Sequence, residues 1–203
     1  MKKMILMAAL AGALGYSILP SFGLRHYQSL RRRKNNEGRI LYLTFDDGPS
    51  EAYTEALLDL LDEYDIKASF FVVAEFAQKN PRIILRAKKE GHLIGIHSVN
   101  HQNALFRGNR FAFSDLAASI LTLKKLGCEA RYYRPPWGHL NLFILHWVKK
   151  MNLKLVFWDV MAQDWQRTPR RHPSARSCFG AFIRAPSSAC MMEEAPRERL
   201  EGP

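Results

Sequence analysis

Cysteine is scarce in this chain. The three present, Cys128, Cys178 and Cys190, have neither the spacing of a metal site nor the number of a disulfide framework; Cys128 reads as a small buried residue near a helix end. No Gly-rich phosphate loop and no internal repeat occur, which argues against a nucleotide-binding domain and a solenoid. Acidic residues are few, 19 against 30 Lys and Arg, for a formal charge of +11 and a pI near 9.8. Such a balance suits nucleic acid, yet the basic residues form no stripe interleaved with aromatics and no DNA-binding motif appears. Attraction to an anionic wall or membrane surface accounts for the charge as well.

Long apolar runs are also lacking, with one exception. After Met1, Lys2 and Lys3, residues 4–24 carry no charge and are mostly apolar. A basic start and an apolar stretch make a secretory signal or a membrane anchor, and about 20 residues suffice to span a bilayer. No convincing small-x-small cleavage site ends the run, which favours an uncleaved anchor. Residues 25–38 form a basic linker with Arg31, Arg32, Arg33 and Lys34. Both segments are expected to be separate from the domain that follows.

What the chain does contain is an alternation of strand-like and helix-like segments, the pattern of parallel βαβ units. Short apolar runs at 39–45, 68–73, 93–96 and 153–158 predict buried strands. Helices are predicted over 50–64, with Ser50 as the cap, over 81–90, opened by Pro81 and closed by Gly91, over 114–126, stopped by Gly127, and over 140–151. A chain of 203 residues suits one catalytic domain around a single core.

Chemistry-bearing residues follow the strands. Thr44-Phe45-Asp46-Asp47-Gly48-Pro49 ends the first, and His97-Ser98-Val99-Asn100-His101 ends the third. Alone, Asp-Asp-Gly-Pro is a good turn, and a lone His-x-x-x-His more often than not means nothing. Together, just past the C-terminal ends of two buried strands, they resemble the mouth of an α/β barrel site. Asp47, His97 and His101 supply three ligands for a divalent cation, with a position open for water and Asp46 beside it as a base.

The constellation resembles the polysaccharide deacetylase family, the NodB-homology enzymes of carbohydrate esterase family 4. The first two motifs stand unaltered; Arg134-Pro135-Pro136-Trp137-Gly138 matches the third and Asp164-Trp165 the fourth, so the resemblance covers roughly 39–165. It implies an α/β fold, a distorted (β/α) barrel of the NodB type, with its last strand or strands missing here. It implies Asp47, His97 and His101 as metal ligands and Asp46 as the general base towards metal-bound water. Arg134 orients Asp46, and Asp164 holds Arg134. Pro135, Trp137 and Trp165 stand at the substrate, although a Trp at a strand end is often core. Ser98 shapes the ligand loop or is a solvated hydroxyl. The family's Asp three residues before Asp164 is replaced by Met161.

The implied function is metal-dependent removal of N-acetyl groups from a glycan such as peptidoglycan or a chitin-like oligomer; O-acetyl esters are not excluded. Two histidines and a carboxylate suit zinc, with cobalt, nickel or manganese tolerable. The basic cluster after the apolar run argues for a cytoplasmic domain. The family's substrates lie outside the cell, and export, anchored or secreted, is the expectation.

After Trp165 the character changes. Residues 166–203 carry five of the ten prolines and no sustained periodicity, a composition that reads as disordered. The resemblance demands a strand ending in His-Asp-Gly, whose histidine protonates the leaving amine. His172 is the only downstream histidine, and its Arg-Arg-His-Pro context does not fit. Reading the codons of Met191, Met192 and Glu193 one nucleotide early forces Asp-Gly, and Cys190 as TGC then precedes them as His. The expectation is therefore a slipped reading frame near Gln166. The alternative function is an impaired metal- or glycan-binding remnant that lacks the general acid.

Overall fold

The computed structural model describes residues 11–35 and 42–158, together with Met4 and Met7. Asp164, Trp165, Met161, His172, Cys178, Cys190 and the whole aberrant tail lie outside the described residues.

Five parallel strands form one sheet: β1 (Thr44–Asp46), β2 (Ser69–Val72), β3 (Leu93–Ile96), β4 (Tyr132–Tyr133) and β5 (Lys154–Leu155). Their spatial order is their chain order. Each strand is therefore laid beside its predecessor in one sense, as in a (β/α) barrel, without the reversal of a doubly wound sheet.

The connecting helices are α2 (Thr54–Glu63), α3 (Ala74–Lys79), α4 (Pro81–Lys89), α5 (Asn109–Lys125) and α6 (Leu142–Lys150); α1 (Leu19–Asn35) precedes the sheet. One apolar cluster joins sheet to helices: Leu58 and Leu61 of α2, Ile83 and Ile84 of α4, Leu116 and Leu123 of α5, and Ile144 of α6 are all buried in it. Gly91 (φ 82°) and Gly127 (φ 70°) stop α4 and α5 in the left-handed region, as expected of helix terminators.

Strands β1 and β5, expected over 39–45 and 153–158, are found over Thr44–Asp46 and Lys154–Leu155, and two helix starts and one helix differ from expectation. Helix α2 opens at Thr54, because Ser50 closes a turn instead of capping: its N–H donates to Thr54 Oγ1 (2.8 Å) and its carbonyl accepts from the Thr54 N–H (2.9 Å), and no side chain caps the helix. Helix α5 starts at Asn109, because Phe111 and Ala112 extend the buried face of Leu116, Ile120 and Leu123 one turn earlier. Helix α3 has no counterpart in the periodicity; six residues are too few to show one.

The N-terminal segment is not separate from the domain. Residues 11–35 are helical, with a π-helical stretch over Leu14–Ile18, and Leu24 packs against the core. Among the described residues no helix is long and apolar enough to cross a membrane.

Candidate metal centre

Backbone pairing continues one residue beyond the strands and delivers the site. The Val73 N–H donates to the Gly48 carbonyl, the His97 N–H to the Val72 carbonyl and the Arg134 N–H to the Ile96 carbonyl, each at 2.9 Å. Asp46 ends β1, Asp47 follows it, His97 follows β3 and Arg134 follows β4, so all of them emerge at the C-terminal edge of adjacent strands.

There, Asp47 Oδ1 lies 3.2 Å from His97 Nε2 and 3.0 Å from His101 Nε2. Three ligand atoms, one from each residue, fall within 4.8 Å of one another. The donor set fits a divalent cation, and the surroundings fit it further. His97 Nδ1 is 2.7 Å from the Arg134 carbonyl. A carbonyl only accepts, so Nδ1 carries a proton, which leaves Nε2 as the nitrogen that would ligate a bound cation. Hydrogen bonding from His97, with the two imidazoles' charge added, holds the Asp47 carboxyl below its usual range against partial burial. Burial lowers the pKa of His101, which favours the neutral ring that a ligand needs.

The loop carrying the histidines is held by backbone contacts. Ser98 (φ 70°) and His101 (φ 55°) are both left-handed. The first N–H groups of α3, from Ala74 and Glu75, donate to the Ser98 and Val99 carbonyls at 3.0 Å; α3 has no side-chain cap and the loop satisfies it instead. The Val99 N–H donates to Asp115 Oδ1 of α5 at 2.9 Å. Asp115 is buried, which raises its carboxyl above the usual range. Ser98 is itself buried, its hydroxyl unpartnered among the described residues.

Arg134 is the largest fully buried side chain. Its Nη1 donates to Asp46 Oδ1 (2.7 Å) and to Thr44 Oγ1 (2.8 Å), and its guanidinium lies 4.1 Å above the Phe71 ring. Nε and Nη2 have no partner among the described residues. Trp137 (φ 55°) is half exposed, its ring centroid 4.2 Å from that of His101. Pro135 is buried, and its carbonyl accepts from the Gly138 N–H (2.9 Å) to close the turn that presents Trp137.

The family model described as polysaccharide deacetylase matches residues 33–156. The chain belongs to the polysaccharide deacetylase family. Its relatives include a peptidoglycan-N-acetylglucosamine deacetylase of Bacillus cereus, 30% identical over 79% of this chain and 58% of its own length. A chitooligosaccharide deacetylase of Azorhizobium caulinodans is 32% identical over 62% and 61%. Among solved structures, a family 4 carbohydrate esterase from Streptomyces lividans in complex with acetate superposes with a TM-score of 0.61 at 29% identity, covering 64% of this chain and 67% of that one. The fold is thus the (β/α) barrel of this deacetylase family, and the chain spans about three-fifths of the length of these curated relatives.

Of the residues expected at a deacetylase site, the structure brings together Asp46, Asp47, His97, His101, Arg134 and Trp137. Three partners escaped the sequence reading. Thr44 stood inside the first motif and shares the Arg134 donor. Phe71 and Asp115 carry no local signal, since only packing puts them beside Arg134 and the histidine loop.

Proposed function

We propose that this chain is a metal-dependent deacetylase that removes N-acetyl groups from a glycan of the peptidoglycan or chitin type. The observation that carries the reading is the convergence of two separate functions on neighbouring carboxylates. Asp47 joins His97 and His101 as a ligand set, while Asp46 is turned to Arg134 and left with an oxygen for proton transfer. Two imidazoles and a carboxylate favour zinc, with cobalt, nickel or manganese as substitutes.

A bound divalent cation polarises an acetyl carbonyl and acidifies water at neutral pH. Asp46 accepts the proton of the attacking water, and Arg134 holds that carboxylate in place by a charge-assisted hydrogen bond. Trp137 walls the site beside His101 and offers an apolar face to an acetyl group or sugar ring. The unpartnered Nε and Nη2 of buried Arg134 call for a further acceptor, and Asp164 is the carboxylate we assign to it; Trp165 and Pro135 belong with the substrate wall. The product amine needs a proton, and the family's acid is absent from the sequence as it stands. That absence supports the second reading, a metal- or glycan-binding remnant.

The relatives' wall substrates support action outside the cytoplasm, with the N-terminal segment holding the chain at the membrane. One assay separates the readings: acetate release from an acetylated chitooligosaccharide with added zinc. Turnover abolished by Asp46→Asn establishes the enzyme, and zinc binding without turnover establishes the remnant.

A further inference from the structure

The helical segment 11–35 is inside out. Its inward side buries hydroxyl residues beside Leu24, which packs against the core: Ser17 and Ser21 are buried. The Ser21 hydroxyl donates to the Leu140 carbonyl (2.9 Å) and accepts from the Leu140 N–H (3.0 Å). Tyr16 donates its hydroxyl to the Arg107 carbonyl, Gln28 donates to the Leu155 carbonyl, and the Arg25 guanidinium lies 5.4 Å from the Trp158 ring centre. Its outward side is apolar. Leu14, Ile18, Leu19 and Phe22 are exposed, Phe22 by 60%, and Met4 and Met7 precede them at helical spacing. A surface helix of a soluble domain has the opposite arrangement.

In sequence, cationic residues flank the apolar stretch, Lys2 and Lys3 before it and Arg31, Arg32, Arg33 and Lys34 after it. Beside the helix, Phe143 packs edge-to-face on Tyr16 at 5.8 Å, and Phe106 and Leu142 are exposed close by in sequence to these contacts. An apolar strip bracketed by positive charge matches the interface of an anionic bilayer, where acyl chains take the strip and headgroups the cations.

We propose that this helix lies in the plane of an anionic membrane surface, docked to the domain by its serine face and embedded by Leu14, Ile18, Leu19 and Phe22. The inference rests on the membrane-side reading above and replaces a spanning anchor with an in-plane one. Ser21 decides between the two. Its hydroxyl is spent on both backbone groups of Leu140, so this part of the helix cannot enter hydrocarbon without tearing those contacts.

The test uses the full chain with phosphatidylcholine vesicles, with and without phosphatidylglycerol. The expected result is flotation with the anionic vesicles, weakened by salt, and a loss of about tenfold or more in the bound fraction for the double variant Ile18→Glu, Phe22→Glu. Both positions are exposed, so an unchanged melting curve certifies the fold. In Phe22→Trp, the added emission is expected to be quenched by bromines near the headgroups more than by bromines at the chain ends. Equal binding of the double variant, stronger quenching at the chain ends, or a dimer that ignores vesicles would each overturn the proposal. Acetate release from a soluble chitooligosaccharide is read on the same samples. Flotation without release sinks the deacetylase reading alone, and release without flotation sinks only this one.

Discussion

Among the described residues six non-glycine positions hold positive φ, and four of them, Asp47, Ser98, His101 and Trp137, stand at the candidate metal centre. Such backbone costs of order 1–3 kcal/mol per residue and persists only where surrounding contacts over-determine it. Asp115 is one of those contacts. Replacing it by Ala removes the acceptor of the buried Val99 N–H, and the expected cost is about 1–3 kcal/mol in urea unfolding. Because that N–H lies between the two histidines, zinc affinity measured by competition with a chelator is expected to fall about 10–100-fold; Asp115→Asn keeps an acceptor and loses less. Asp46→Asn is expected to act differently, leaving zinc affinity near wild type while acetate release falls by about 10²–10⁴. Equal losses of binding and turnover in that variant would merge the two carboxylates' roles. Asp46, Asp47, His97, His101 and Arg134 were legible in the sequence because catalytic groups at strand ends come in short contiguous motifs. Asp115 was not, since it lies on a helix and acts through someone else's backbone.

At the scale of the element, the sheet shows why Arg134 can be buried. Gly95 in the middle of β3 leaves room for the Phe71 ring, and a Cβ built there would come within 2.7 Å of that ring and 3.2 Å of the Tyr132 carbonyl. Phe71 is fully buried and cannot swing away, and its face supports the Arg134 guanidinium. Gly95→Ala is therefore expected to cost about 1–3 kcal/mol by overpacking. It is also expected to lower kcat by displacing Arg134 and with it Asp46, although position 95 touches neither. Wild-type kcat in a stable Gly95→Ala protein would show that the ring gives way elsewhere. Of the expected elements, β3 and α4 were legible to within a residue, one bounded by its apolar run and the other by Pro81 and Gly91. The start of α2 was misread because Ser50 does not cap it: residues 51–53 form a turn closed by Ser50 and Thr54, and the helix opens at Thr54 without a side-chain cap.

For the whole molecule, pH is the informative variable. Burial lowers the pKa of His92, of His101 and of His139. A base lowered by folding is protonated first in the unfolded chain, so its stabilising contribution is complete above the free imidazole value of about 6.5 and is lost as pH falls below it. Asp47, lowered in the fold, acts in the same direction at more acid pH. Burial raises Asp115 and opposes this, but only where carboxylates titrate. The urea midpoint is expected to drop between pH 7.5 and pH 5.5, and less so in His92→Gln; a flat profile would contradict the burial of these rings. By itself the sequence determined the family, the parallel α/β class and the candidate ligand residues, because motif order and strand periodicity are local properties of the chain. Tertiary structure alone decided that the helical segment 11–35 is laid against the domain, through Ser21 and Leu24. It alone showed that Arg134 is held by Thr44 and Phe71 and the histidine loop by Asp115. Those facts depend on which surfaces meet, and no run of neighbouring residues encodes that.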